Sequence, residues 1–234
     1  ERSAIVRFKA KDQDFYFLAW TTTPWTLPSN TGLCVNPDLD YAKVKAADGY
    51  TYVMACSLLD KVLGPLAKDG MPAYEILETY KGTDLVGIDY EPLYACAAEA
   101  AAKQHKRAHF VIADGYVTAD DGTGIVHIAP AFGEDDARVG RENGFPLIKF
   151  VDEKGVMTEE TPFAGMRCKP TEKEMAAGAI SADPEVLKDL SARKLLFDAP
   201  KFTHSYPHCW RCDTPLIYYA RESWFIKMSA VKDD

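Results

Sequence analysis

Two segments of this 234-residue chain carry side chains with the means to bind or turn over a ligand. In Trp20-Thr21-Thr22-Thr23-Pro24-Trp25-Thr26-Leu27-Pro28, four hydroxyls stand where a strand opens into a proline-braced loop, the kind of position at which a rigid scaffold presents a site. The competing reading is structural: threonines end strands, and Thr23 before Pro24 is a ready helix N-cap. On residue type alone the two readings balance. The second segment runs Gly122-Thr123-Gly124-Ile125-Val126-His127-Ile128-Ala129-Pro130-Ala131-Phe132-Gly133-Glu134-Asp135-Asp136. Its glycines permit close backbone approach, but the spacing is neither a dinucleotide fingerprint nor a P-loop, because no Lys-Ser/Thr follows. Phosphate cradling is not supported.

Within that segment Ile125 to Ile128 reads as a short strand ended by Pro130, and Glu134-Asp135-Asp136 opens a helix that stops near Gly144. Acidic residues in a first helical turn are ordinary, since they offset the positive end of the dipole. Asp136 at such a terminus is expected to stay ionised and so to be fit to hold an ammonium group. His127 would line a pocket wall nearby, although a lone histidine on an alternating strand is more often structural. No Ser-His-Asp or Cys-His grouping can be assigned, so no covalent intermediate is expected.

These segments need a scaffold. Runs with strand character are Ala4 to Lys9, Asp14 to Trp20, Tyr41 to Lys45, Tyr50 to Ala55, Tyr74 to Tyr80 and His109 to Ala113. Helices are expected at Ser57 to Leu63, Ala97 to Lys103 and Asp183 to Leu195, the last with Asp183 as N-cap and Pro184 at the first helical position. The expectation is a mainly β body with peripheral helices, an α+β domain over residues 1–200, followed by an aromatic- and histidine-rich return segment over 201–234.

Composition bounds the function. The chain is 47% hydrophobic, enough for a real core, and 27 basic against 35 acidic residues leave a net charge of −8. An acidic balance argues against an unaided grip on nucleic acid, since that grip comes from Lys and Arg displacing counterions. Lys103, Lys106, Arg107, Arg138 and Arg141 read as solvated charges. No stretch approaches a membrane span and no signal peptide is evident, so a cytoplasmic protein is expected. The first residue is not Met and Ser3 to Lys9 already alternates, which suggests a piece of something larger.

Of six cysteines only Cys209 and Cys212 have ligand spacing, half a zinc site with His204 and His208 just ahead. Either both histidines complete the set, or a second pair lies elsewhere.

Together the threonine loop, Gly122 to Pro130, Gly133 and Asp135-Asp136 resemble the inserted editing domain of isoleucyl-tRNA synthetases. His204-Ser205-Tyr206-Pro207-His208-Cys209-Trp210-Arg211 and Thr214 to Ile217 resemble the return toward that enzyme's synthetic core. Thr23-Pro24-Trp25 and His127 point to the isoleucyl branch over the valyl and leucyl ones. The resemblance implies a β-barrel-like fold and hydrolysis of valine wrongly esterified to isoleucine tRNA. One methylene is worth only about 1–3 kcal/mol of discrimination, a limit for which isoleucine against valine is itself the standard example, so a second, smaller site must remove the error.

It further implies that Asp136 holds the α-ammonium and that Thr21, Thr22 and Thr23 surround the carbonyl, the ribose and the attacking water. Thr26 and His127 would narrow the side-chain pocket, with Trp20 as a wall. Editing would need no cofactor. ATP and Mg would serve only the synthetic core, and zinc at Cys209 and Cys212 would belong to the full-length enzyme. Partners would be the tRNA 3′ end and the rest of the synthetase, with no membrane. The alternative is a zinc-stapled RNA-binding or scaffold module without catalysis, its threonines merely capping structure.

Overall fold

The computed structural model describes residues 1–68, 70–203 and 206–231. Ala4–Lys9 (β1) and Tyr16–Thr21 (β2) form an antiparallel hairpin that places Ala4 opposite Thr21 and Lys9 opposite Tyr16. The alternation in β1 has its physical reason here, since Ala4, Val6 and Phe8 are fully buried. The remaining strands are Gly32–Val35 (β3), Asp40–Ala46 (β4), Thr51–Ala55 (β5), Tyr74–Lys81 (β6), Phe110–Ala113 (β7), Ile125–Ile128 (β8) and Leu196–Asp198 (β9).

They build one mixed sheet in the order β6-β4-β5-β2-β8-β3-β7, with β1 between β2 and β9. β2 is the pivot. Tyr16 and Phe17 at its start pair with β5, whereas Trp20 at its end pairs with Val126 of β8. One strand serving two successive neighbours along one edge, and β1 along the other, curls the sheet into a half-barrel. Helices Leu59–Leu63 (α1), Ala95–Lys103 (α2), Glu134–Glu142 (α3), Glu172–Ala176 (α4), Ala182–Ala192 (α5) and Met228–Val231 (α6) lie around it. The mainly β body with peripheral helices is thus the observed architecture.

Two strands escape sequence reading. Gly32–Val35 is buried at every position, so it shows no alternation, and it is held between β7 and β8. Leu196–Asp198 has only three residues. The loop expected after Trp20 is instead a fully buried 3₁₀ helix, Pro24–Ser29.

Asp183 also differs from expectation. The N-cap of α5 is Ser181, and Asp183 lies inside the first turn. Its carboxylate accepts the backbone N–H of Trp25 at 2.9 Å and pairs with Lys169 at 3.0 Å, while Lys169 also reaches Glu1 at 3.0 Å. A residue 158 positions away therefore braces the threonine segment. The sequence 201–203 continues directly off the body, since Lys201 bridges Arg2 and the Phe202 N–H donates to the Glu1 carbonyl at 3.0 Å.

Replacing Asp183 with Ala leaves the Trp25 amide unpaired and Lys169 with one carboxylate fewer. The expected loss is about 1–3 kcal/mol, the cost of an unsatisfied buried donor. Urea denaturation of the Asp183→Ala variant measures it; an unchanged midpoint would contradict the brace.

Candidate functional site

The end of β2, the 3₁₀ helix, β8 and the start of α3 enclose a cleft of about 380 Å³. All seven residues singled out from sequence line it: Trp20, Thr21, Thr22, Thr23, Thr26, His127 and Asp136. Segments more than 100 positions apart meet because β2 hands Trp20 to Val126, and His127 follows one residue later.

The threonines are arranged as a chain of hydroxyls. Thr21 Oγ1 accepts the Thr23 N–H at 3.1 Å and lies 3.4 Å from Thr23 Oγ1, which in turn lies 3.3 Å from Thr26 Oγ1. Thr23 does occupy the N-cap position of the 3₁₀ helix, with Pro24 next, yet its hydroxyl makes no capping bond. The amide in the first turn is taken by Asp183 instead. The Thr23 hydroxyl therefore joins the chain of threonine hydroxyls instead of capping the helix, which separates this loop from an ordinary capped helix start.

Thr26 and His127 form a locked pair, Oγ1 to Nε2 at 3.0 Å. The Thr26 hydroxyl donates to the Thr23 carbonyl at 2.7 Å, so toward the ring it accepts, and His127 carries its proton on Nε2. Burial pulls the His127 imidazole down to about 4, so the ring is neutral at physiological pH. A hydroxyl beside an imidazole is the geometry of a nucleophile and its base, but this ring resists becoming imidazolium. Among the described residues its Nδ1 also has no orienting partner. The pair supplies a rigid wall rather than a covalent catalyst.

Asp136 sits in the first turn of α3, whose N-cap Gly133 is extended. The side chain turns back across the loop, and its Oδ2 accepts the Ala129 N–H at 2.8 Å. Gly133 makes room, since a Cβ there would lie 3.2 Å from the Asp136 Cγ. At pH 7 the group is ionised as expected, but against its surroundings rather than with the help of the helix terminus. Burial outweighs the single amide bond, with Asp135 adding repulsion, and pushes the carboxyl up to about 6. The anion still predominates at pH 7, but at a cost. Among the described residues no cation pairs with Asp136.

Several lining residues carry no sequence signal. Trp25 and Phe132 meet edge to face at 5.1 Å between ring centres, and with Val126 and Ala129 they make the cleft partly apolar. Tyr206, Pro207, Leu216 and Tyr218 of the return segment complete it. That segment packs on the body through the Ala220 N–H to the Ala131 carbonyl at 2.8 Å and Tyr219 Oη to the Val151 carbonyl at 2.9 Å. The basic residues read as solvated are occupied locally in part: Arg138 grips Asp114 through two bonds of 2.8 and 3.0 Å, Arg107 pairs with Asp89, and Lys106 reaches the Phe145 carbonyl.

Cys209 and Cys212 share a tight turn, in which the Asp213 N–H donates to the Cys209 carbonyl and the Cys209 N–H to the Thr214 carbonyl. Contact with the Thr214 hydroxyl helps lower the Cys212 thiol. The two thiols could provide half of a tetrahedral structural set. Among the described residues no group of three or more ligating side chains converges. His208 Nδ1 lies 3.0 Å from the Tyr206 carbonyl, and His204, the other local candidate, lies outside the described residues. Cys34 and Cys168 are buried free thiols.

The half-barrel fold is shared with the editing domains of leucyl-tRNA synthetases. In fold the chain is similar to the editing domain of P. falciparum cytosolic leucyl-tRNA synthetase, with TM-score 0.62, 11% identity, 86% of this chain and 100% of that one. It is likewise similar to GlLeuRS-CP1, with TM-score 0.60, 13% identity, 87% of this chain and 100% of that one. No family model matches.

In sequence, all of the chain aligns with isoleucine–tRNA ligase of Clostridium kluyveri at 43% identity, and 99% of it with that of Bacillus thuringiensis at 44%. Along its whole length the chain thus matches a segment of isoleucyl-tRNA synthetases. It spans about one fifth of the length of those relatives, 20% in each case.

The raised Asp136 carboxyl has a stability consequence. Its value is about 6 folded against an ordinary 3.8, so protonation favours the fold. Its stabilising contribution is complete below about pH 4 and is lost as pH rises through about 6. Asp136→Asn keeps an oxygen for the Ala129 amide and carries no charge. The variant should therefore become more stable than the parent as pH rises from 4 to 7, by about 1–3 kcal/mol at pH 7. Urea midpoints of both proteins across that range test this, and a gap independent of pH would contradict it.

Proposed function

We propose that the chain hydrolyses the ester joining valine to isoleucine tRNA, removing an amino acid that the synthetic site admits in error. The observation that carries this reading is the Asp136 carboxylate, half-buried, without a cation among the described residues, and facing the cleft that holds the threonine hydroxyls. A group so placed is matched by a ligand that brings its own positive charge. The α-ammonium of an aminoacyl ester is such a charge, and the apolar faces of Trp25, Phe132 and Val126 suit a short branched side chain beside it.

With the ammonium on Asp136, the ester carbonyl falls among Thr21, Thr22 and Thr23, whose hydroxyls and backbone groups orient it and the attacking water. The water oxygen bonds to the carbonyl carbon, and the ribose oxygen leaves with a proton, giving free valine and an uncharged tRNA end. Positioning does most of this work, because an ester with an adjacent ammonium is already activated and fixed orientation removes the entropic part of the barrier. The tRNA's neighbouring ribose hydroxyl assists the water. Thr26 and His127, locked to each other, form the wall that valine clears and isoleucine strikes; Trp20 closes another side. Whether this site also clears valyl-adenylate is a separate matter from the ester reaction.

The main hold on the tRNA belongs to the rest of the synthetase, in keeping with the net charge of −8. Trp210, Trp224 and Phe225, exposed at 86%, 103% and 84%, offer that larger protein an apolar docking surface. Among the described residues no helix is long and apolar enough to cross a membrane, and the cytoplasm is the proposed location. A scaffold without catalysis would give no reason for a carboxylate with a raised pKa and a chain of threonine hydroxyls to face one cleft.

Deacylation of valyl-tRNA by the Asp136→Ala variant tests the assignment. Loss of one member of a desolvated charge pair costs about 3–5 kcal/mol, so hydrolysis should fall by roughly 100-fold or more. Unchanged turnover would remove Asp136 from its role. In the parent, kcat/KM should decline as pH falls below about 6, where Asp136 takes up a proton.

His127→Ala and Thr26→Ala should each admit the isoleucyl ester. Retained full discrimination in both would contradict the wall.

A further inference from the structure

We infer that Gly122 is a specificity-setting positioning residue, acting through Trp20. The inference rests on the editing function proposed above. Trp20 is shared: it lines the cleft of the threonines, a second cavity of about 670 Å³ and a third of about 340 Å³. Gly122 lines that second cavity and not the first. It lies flat against the indole, so that a Cβ built on it would stand 2.7 to 2.8 Å from Trp20 Cδ2, Cε3 and Cγ. Phe202 meets the indole edge to face from the same cavity, 5.1 Å between centres.

Three ring atoms met at once leave a side chain at 122 no small rotation of escape. The indole must move away from residue 122, and movement toward the threonines narrows the cleft. Gly122 has φ +71°, a conformation glycine adopts without strain. The glycine in this position thus sets how far Trp20 stands back, and with it the size of amino acid admitted. Its partner Gly124, at φ +73°, has a different task, the close approach to Ala55 Cβ.

The test uses the full-length synthetase and compares hydrolysis of tRNA esters of alanine, valine and isoleucine. Gly122→Ala should lose valyl-ester hydrolysis about 10-fold or more relative to the alanyl ester, the scale of one methylene of lost room. In a Trp20→Ala background the same change should leave the alanyl-to-valyl ratio unaltered. An equal loss there would show backbone strain as the cause and overturn the inference, as would an unchanged ratio in the single variant.

Phe202→Ala provides an arm that does not burden the Gly122 backbone. It frees the indole to swing back and should raise isoleucyl relative to valyl hydrolysis. If Gly122→Ala does not fold, this arm decides, and an unchanged ratio overturns the inference. Absence of ester hydrolysis in the unaltered enzyme would instead defeat the functional proposal itself.

Discussion

A half-buried carboxylate facing the cleft, with no cation beside it among the described residues, is the constraint around which this site is arranged. Asp136 has one backbone amide, from Ala129, and no cation among the described residues. Burial raises its carboxyl to about 6, so at neutral pH the fold maintains a charge it would hold more comfortably as the acid. Strain of this kind persists where a ligand relieves it. On the proposed function an ammonium does so, and only in a molecule that also fits the space between the threonine loop and the Thr26–His127 pair.

The surrounding structure shows how such a group is kept in place. The helix bearing Asp136 is pressed close to the preceding loop because Gly140 faces Pro130, where a Cβ would come within 2.7 Å of the proline ring. The opposing hydroxyls are freed by a distant residue: Asp183 caps the first turn of the 3₁₀ helix, and Thr23 is left facing Thr21 and Thr26. Both devices spend packing and hydrogen bonds elsewhere to hold polar groups open at the cleft. This is preorganisation, in which the orientation needed by the reaction is fixed at folding.

Much of this was legible in the sequence, for identifiable reasons. β1 and β8 were readable because each is a compact apolar run, alternating in β1 and closed by Pro130 after β8. The residues of the cleft could be named because hydroxyls, a histidine and a first-turn aspartate are unusual in company, and because their pattern resembles a known family.

What failed was non-local. The uniformly buried Gly32–Val35 shows no period, and the brace from Asp183 spans 158 positions. The raised carboxyl of Asp136 depends on apolar cover that no local rule supplies. For the same reason the helix dipole alone gave the wrong direction. The rings of Trp25 and Phe132 lie in the core and line the cleft at the same time.

The most direct test of the account is a crystal structure of the chain with a nonhydrolysable valyl-adenosine mimic bound. The ammonium is expected within hydrogen-bonding reach of the Asp136 carboxylate, with the valyl methyls against the Thr26–His127 wall. An ammonium bound away from Asp136, or a ligand outside the cleft of the threonines, would contradict it.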